Sequence, residues 1–67
     1  MQLSARNQLS GKITHIEKGP VSTEISLDVN GVMVVSSITT HSADSLGLQV
    51  GNNATAIIKA SSIMIGK

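Results

Sequence analysis

Cysteine is absent from this 67-residue sequence, and so are phenylalanine, tyrosine and tryptophan. The first absence removes disulfides, thiolate metal sites and thiol redox chemistry together. The second removes the aromatic platforms on which nucleobases stack in single-strand binders. Charge is also sparse: five basic and four acidic residues give a formal net charge of +1. So small a surplus excludes a broad electrostatic surface for duplex DNA or anionic membranes, although a few focused cations could still hold a small anion. The apolar residues make up 40% of the chain but fall in short, interrupted runs, so no membrane-spanning helix is expected. Arg6 and several polar residues stand where a signal peptide would need an apolar stretch, so a cytoplasmic location is expected. His15 and His41 are the only histidines, too few for an ordinary zinc site.

What remains is a chain long enough for a single domain over residues 1–67 and too short for a large core. With disulfides and a structural metal removed, oligomerisation is the expected source of added stability. The most regular segment is Val21–Val29. In it Val21, Thr23, Ile25, Leu27 and Val29 alternate with polar residues, the period of a half-buried strand. Asn30-Gly31 follows, the preferred two-residue hairpin turn because both positions need positive φ. The next run, Val32–Ile38, is apolar on both faces, as in a strand covered on both sides by barrel and neighbouring subunit.

Upstream, Leu9, Gly11, Ile13 and His15 alternate with Ser10, Lys12, Thr14 and Ile16, which predicts a first strand ending at the Lys18-Gly-Pro20 turn. Downstream, Thr40–Leu46 fits a short helix, capped by Ser42 or Thr40 and released by Gly47. A strand over Ala54–Lys59 and a final short strand or helical turn over Ser61–Ile65 complete the order. Brief connections leave no room for βαβ crossovers. The expected fold is all-β: a five-stranded, OB-like antiparallel barrel with one short helix, which closes its own strand edges.

Catalytic patterns are missing. There is no nucleophile elbow, no paired carboxylates and no phosphate-binding glycine loop, so no enzyme is expected. Two polar clusters stand out instead: Ser4-Ala-Arg-Asn-Gln8 and Lys59-Ala-Ser-Ser62. A tetrahedral oxyanion needs convergent donors, namely fixed positive charge, hydroxyls and main-chain N–H groups. These are suitable parts. Taken alone they read more readily as a polar strand end and a solvated terminus, since surface polar residues are mostly exposed anyway.

The run Ser4-Ala-Arg-Asn-Gln-Leu-Ser-Gly-Lys12 resembles the opening of the molbindin (Mop, molybdenum-pterin-binding) family. The similarity continues through Lys18-Gly-Pro-Val21, Ser37-Ile-Thr39, Leu46-Gly-Leu48, Val50-Gly51 and Ala56-Ile-Ile-Lys-Ala-Ser61, so it spans essentially the whole chain. The resemblance implies an OB-like barrel assembled as a hexamer, a trimer of dimers, that binds molybdate or tungstate at subunit interfaces. On that pattern Ser4, Ala5 and Arg6 match one side of an interfacial oxyanion site. Lys59, Ala60 and Ser61 match the segment completing it, and Thr39 matches a hydroxyl donor from a neighbouring chain. Ala5 and Ala60 would contribute main-chain groups. Lys18, Gly19, Val21, Ser22 and Thr23 resemble the lining of a second class of site.

These readings combine into an expectation of intracellular molybdenum storage and homeostasis, with the free oxyanion bound by hydrogen bonds and no direct metal ligands. The family's older name invokes a pterin, but the chain has no aromatic side chain to stack on one. The competing expectation is a regulatory or structural oxyanion-sensing module. With no DNA-binding or nucleotide-binding segment in these 67 residues, storage is expected over sensing. A nucleic-acid-binding OB module is disfavoured by the missing aromatics, and no membrane partner is expected.

Overall fold

The structure is a computed structural model that describes residues 2–67. Its elements are β1 (Asn7–Lys18), β2 (Ser22–Val29), β3 (Val32–Thr39), the short helix α1 (Thr40–Ser45) and β4 (Asn53–Ile58). A single 3₁₀ turn, Ala60–Ser62, follows. The strands form one antiparallel sheet in the order β3-β2-β1-β4, curled into a half-barrel. The all-β class with one short helix is as expected. The five strands are not: four are present among the described residues, because residues 63–67 run on past the 3₁₀ turn without pairing.

The hairpin follows the sequence pattern closely. Thr23, Ile25 and Leu27 are buried, Val29 packs against them, and Asn30 and Gly31 take φ of 50° and 89°. Val21 departs from it, lying outside β2 and largely exposed. In β3, Val34 and Ile38 face the core, whereas Val32, Met33 and Val35 are exposed. A single chain therefore covers only one face of this doubly apolar strand.

The sequence reading placed Ile13 and His15 on one face of β1, and the structure corrects this. The register passes from Ile13↔Leu27 directly to His15↔Ser26, so Thr14 is an extra residue that reverses the alternation. Ile13 and Ile16 both reach the core, and His15 is turned out to solvent. Gly11 lies opposite Ala54. A Cβ at Gly11 would collide with the main-chain oxygen of Asp28, so glycine here lets β2 cross close to β1 as the sheet curls. Among the described residues the buried hydrophobic side chains are only Ile13, Ile25, Leu27 and Ala43, the modest interior expected of so short a chain.

Helix α1 is capped by Thr39, not by Thr40 or Ser42. The Thr39 hydroxyl accepts the Ser42 N–H at 3.1 Å and donates to the Ser42 hydroxyl at 2.8 Å. Gly47 supplies the left-handed exit, φ 63°. Its N–H bonds the Asp44 carbonyl and the Leu48 N–H bonds that of Ala43, a Schellman ending. Thr40 has a different task. Its hydroxyl donates to the Gly19 carbonyl at 2.6 Å. Having one proton, it must accept from the buried Thr23 hydroxyl 2.8 Å away. This chain of bonds ties α1 to the β1–β2 turn.

Candidate functional site

Pairing of β1 with β4 decides where the two polar clusters go. Asn7 stands opposite Ile58 as the last pair of the ladder, and the Asn7 side-chain amide donates to the Ile58 carbonyl at 3.2 Å. Residues 4–6 enter that pair and residues 59–61 leave it, so the clusters lie side by side. Ser4, Ala5, Arg6, Lys59, Ala60 and Ser61 together line one open cleft of about 360 Å³. Gln8 donates to the Ala5 carbonyl at 3.2 Å, which fixes the bend before β1. On the other side the 3₁₀ turn is closed by Ser62 N–H to the Lys59 carbonyl at 2.9 Å. The amides of Ala60 and Ser61 precede that bond and have no partner within the turn.

This cleft offers a guanidinium, an ammonium, two hydroxyls and main-chain amides, and no carboxylate lines it. Its chemistry is that of a small anion held by charge-assisted hydrogen bonds. Ser4 and Arg6 precede β1 in a bent segment, so their shared side comes from the bend and not from strand alternation.

A second cleft, about 270 Å³, lies at the opposite end of β1 and is lined by Glu17, Lys18, Gly19, Ser22, Glu24 and Ser37. Of the five residues expected at a second site, Lys18, Gly19 and Ser22 line it. Val21 projects into solvent, and Thr23 is buried with its hydroxyl committed to Thr40. Sequence reasoning missed Glu17, Glu24 and Ser37. The β1–β2 and β2–β3 registers, Glu17↔Glu24 and Glu24↔Ser37, would have found them, since directly paired residues share a face. The Lys18 ammonium is 2.9 Å from the Asp44 carboxylate, and both are well exposed.

Thr39 lies in neither lining. It closes β3 opposite Ser22, and within one chain its hydroxyl serves the helix cap. His15 and His41 are exposed, the former on β1 and the latter on α1. Among the described residues, no three His, Asp or Glu side chains converge as metal ligands do. No helix there is long and apolar enough to cross a membrane.

Comparison with known proteins identifies the family of this chain. Residues 3–65 match the model of the TOBE domain. A probable molybdenum-pterin-binding protein of Haemophilus influenzae is 48% identical over 67 residues, 98% of this chain and 97% of the relative. A molybdate-binding protein from Sporomusa ovata superposes over 100% of both chains with TM-score 0.96 and 36% identity. The cytoplasmic molybdate-binding protein ModG, in a molybdate-bound form, matches with TM-score 0.85 and 41% identity over 90% of this chain and 43% of its own. On sequence and fold together, the chain belongs to the TOBE-domain family and, within it, to the molbindins, the molybdenum-pterin-binding proteins.

Proposed function

We propose that this protein binds molybdate, or tungstate, as an intact oxyanion, and serves cytoplasmic molybdenum storage and homeostasis without catalysing a reaction. The observation that carries this reading is the cleft formed by Ser4–Arg6 against Lys59–Ser61, with two cations and no carboxylate. A dianion with four acceptor oxygens matches that donor set. Arg6 and Lys59 supply charge; the hydroxyls of Ser4 and Ser61 and the main-chain groups of Ala5 and Ala60 supply direction.

The cleft is open, and a buried oxyanion needs a second wall. The proposed wall is a neighbouring chain whose Thr39 hydroxyl completes the donor set, in a homo-oligomer read as a hexamer built as a trimer of dimers. The exposed apolar Val32, Met33 and Val35 support assembly, since a small domain seldom leaves such a strip in water. An anion bridging two chains would stabilise the assembly by mass action. Thr39 would then turn its hydroxyl from Ser42 to the anion while still accepting the Ser42 N–H.

The second site, around Lys18, Gly19, Val21, Ser22 and Thr23, is part of the same proposal at lower affinity. Glu17 and Glu24 repel a dianion there, so it would fill after the first cleft. Val21 and Thr23 would contribute main-chain groups only.

Calorimetric titration with molybdate, with the mass in solution measured alongside, tests the reading. Micromolar or tighter binding to an oligomer, weakened about tenfold or more in Arg6→Ala, is expected from the loss of one charge-assisted bond worth roughly 1.5–3 kcal/mol. An intact oligomer that gives no binding heat at micromolar molybdate would sink it.

A further inference from the structure

Asn30 is the only asparagine of the chain that a glycine follows. In such a pair the carboxamide carbon can be attacked by the next main-chain nitrogen, and glycine has no side chain to obstruct the approach. Asn30 and Gly31 are both exposed. A Cβ at Gly31 would meet nothing within 4 Å, so the space around the attacking nitrogen is open to solvent.

The fold nevertheless keeps the two groups apart, and it does so twice. The first restraint is the turn itself. With φ of 50° at Asn30 and 89° at Gly31, between the paired Val29 and Val32, the hairpin is of type I′. That conformation directs the Asn30 side chain away from the Gly31 nitrogen, so a ring can close only when the turn opens. The second restraint is Asp28, whose carboxylate accepts the Gly31 N–H at 2.8 Å. Attack requires the nitrogen to lose this proton, and an anion beside it disfavours a second negative charge.

We propose that Asn30 is a deamidation site protected by the closed hairpin, with Asp28 as the latch, so that its modification records opening of the β2–β3 turn. When the turn opens, the Gly31 nitrogen gives its proton to hydroxide and bonds to the Asn30 Cγ. The Cγ–Nδ2 bond breaks, and the nitrogen takes a proton from water and leaves as ammonia. One water then opens the cyclic imide. Opening at Cγ gives aspartate; opening at the main-chain carbonyl gives isoaspartate, whose backbone runs through Cγ. Water is the only co-reactant.

Either product adds a negative charge beside Asp28 and takes the formal net charge from +1 to zero. Isoaspartate also lengthens the main chain inside a two-residue turn, which should loosen the Val29–Val32 end of the hairpin. Asp28 is paired with Lys12, whereas the first cleft lies beyond the Asn7–Ile58 pair. The modification therefore leaves that cleft intact, and the inference is independent of which anion binds.

The test is to age wild type, Asp28→Ala, Asp28→Asn and Asn30→Gly in mildly alkaline buffer, both folded and in concentrated urea, with peptide mapping by mass spectrometry. In urea the wild type and both Asp28 variants should deamidate at Asn30 at similar rates, and Asn30→Gly should show no change at that position. Folded wild type should react about tenfold or more slowly, as expected where reaction waits on local opening. Asp28→Ala should recover several-fold of that rate while circular dichroism shows it folded. Asp28→Asn, which keeps an acceptor without the charge, should fall between, and it alone decides if Asp28→Ala does not fold. Folded wild type reacting as fast as in urea overturns the protection. No reaction at Asn30 in urea, or earlier reaction at Asn7, Asn52 or Asn53, overturns the site. Folded Asp28 variants that react no faster than wild type overturn the latch.

Discussion

The two clefts are assembled from similar parts, each offering a lysine and serines beside a turn, yet they present opposite surroundings to an anion. The first gathers Arg6 and Lys59 with no acidic neighbour. The second is lined by Lys18 together with Glu17 and Glu24, and Lys18 is moreover drawn to Asp44. Strand pairing makes the difference. At the Asn7–Ile58 end the ladder stops and the flanking segments contribute the lining. At the Lys18 end the lining includes ladder residues, and the register sets Glu17 directly opposite Glu24. A cleft built beyond a ladder can collect charge of one sign, whereas one built across it inherits whatever the register puts there.

This contrast can be broken most severely at the first cleft. Replacing both cations, Arg6→Ala with Lys59→Ala, should lower molybdate affinity by about a hundredfold or more, since two charge-assisted bonds are lost. Calorimetry would show it, and a loss below tenfold would move the binding elsewhere. Next in size is Thr40→Val, which strands the buried Thr23 hydroxyl and unties the turn beneath the second cleft. A cost of about 1–3 kcal/mol is expected in urea unfolding, with first-cleft affinity unchanged in the folded protein.

A smaller, opposite effect should follow from Glu17→Gln with Glu24→Gln, which removes the repulsion. Occupancy of the second cleft should rise several-fold, seen as added stoichiometry in the same titration. If it does not, the carboxylates are not what separates the two sites. Smallest of all is Asp44→Ala. The Lys18–Asp44 pair is exposed on both sides, so its loss should change stability by less than about 1 kcal/mol in thermal unfolding.

The sequence spelled out the parts of the fold that depend on near neighbours. The β2 alternation, the Asn30-Gly31 turn and the Gly47 exit each follow from a local backbone or burial requirement, and each is present. The Thr14 bulge was illegible, because one extra residue leaves no mark on composition and shows only in the pairing with β2. The cap fell on Thr39 and not on Thr40 or Ser42, although all three have capping hydroxyls. Tertiary contacts chose among them, drawing Thr40 to Gly19. The ending over Ser61–Ile65 was ambiguous for a deeper reason, since a strand pattern does not name its partner. The first cleft joins segments brought together by a bond between Asn7 and Ile58, 51 positions apart. No local pattern announces such a meeting; the family resemblance did.

That same meeting has a kinetic side. The Asn7–Ile58 pair closes a loop over most of the chain, and contacts of such sequence separation form late because the closure entropy precedes their reward. An anion spanning residues 4–6 and 59–61 would act as a clasp on the finished molecule, with little to grip during the search for the fold. Such stabilisation falls on the unfolding rate: molybdate should lengthen the lifetime of the folded state and leave the refolding rate almost untouched.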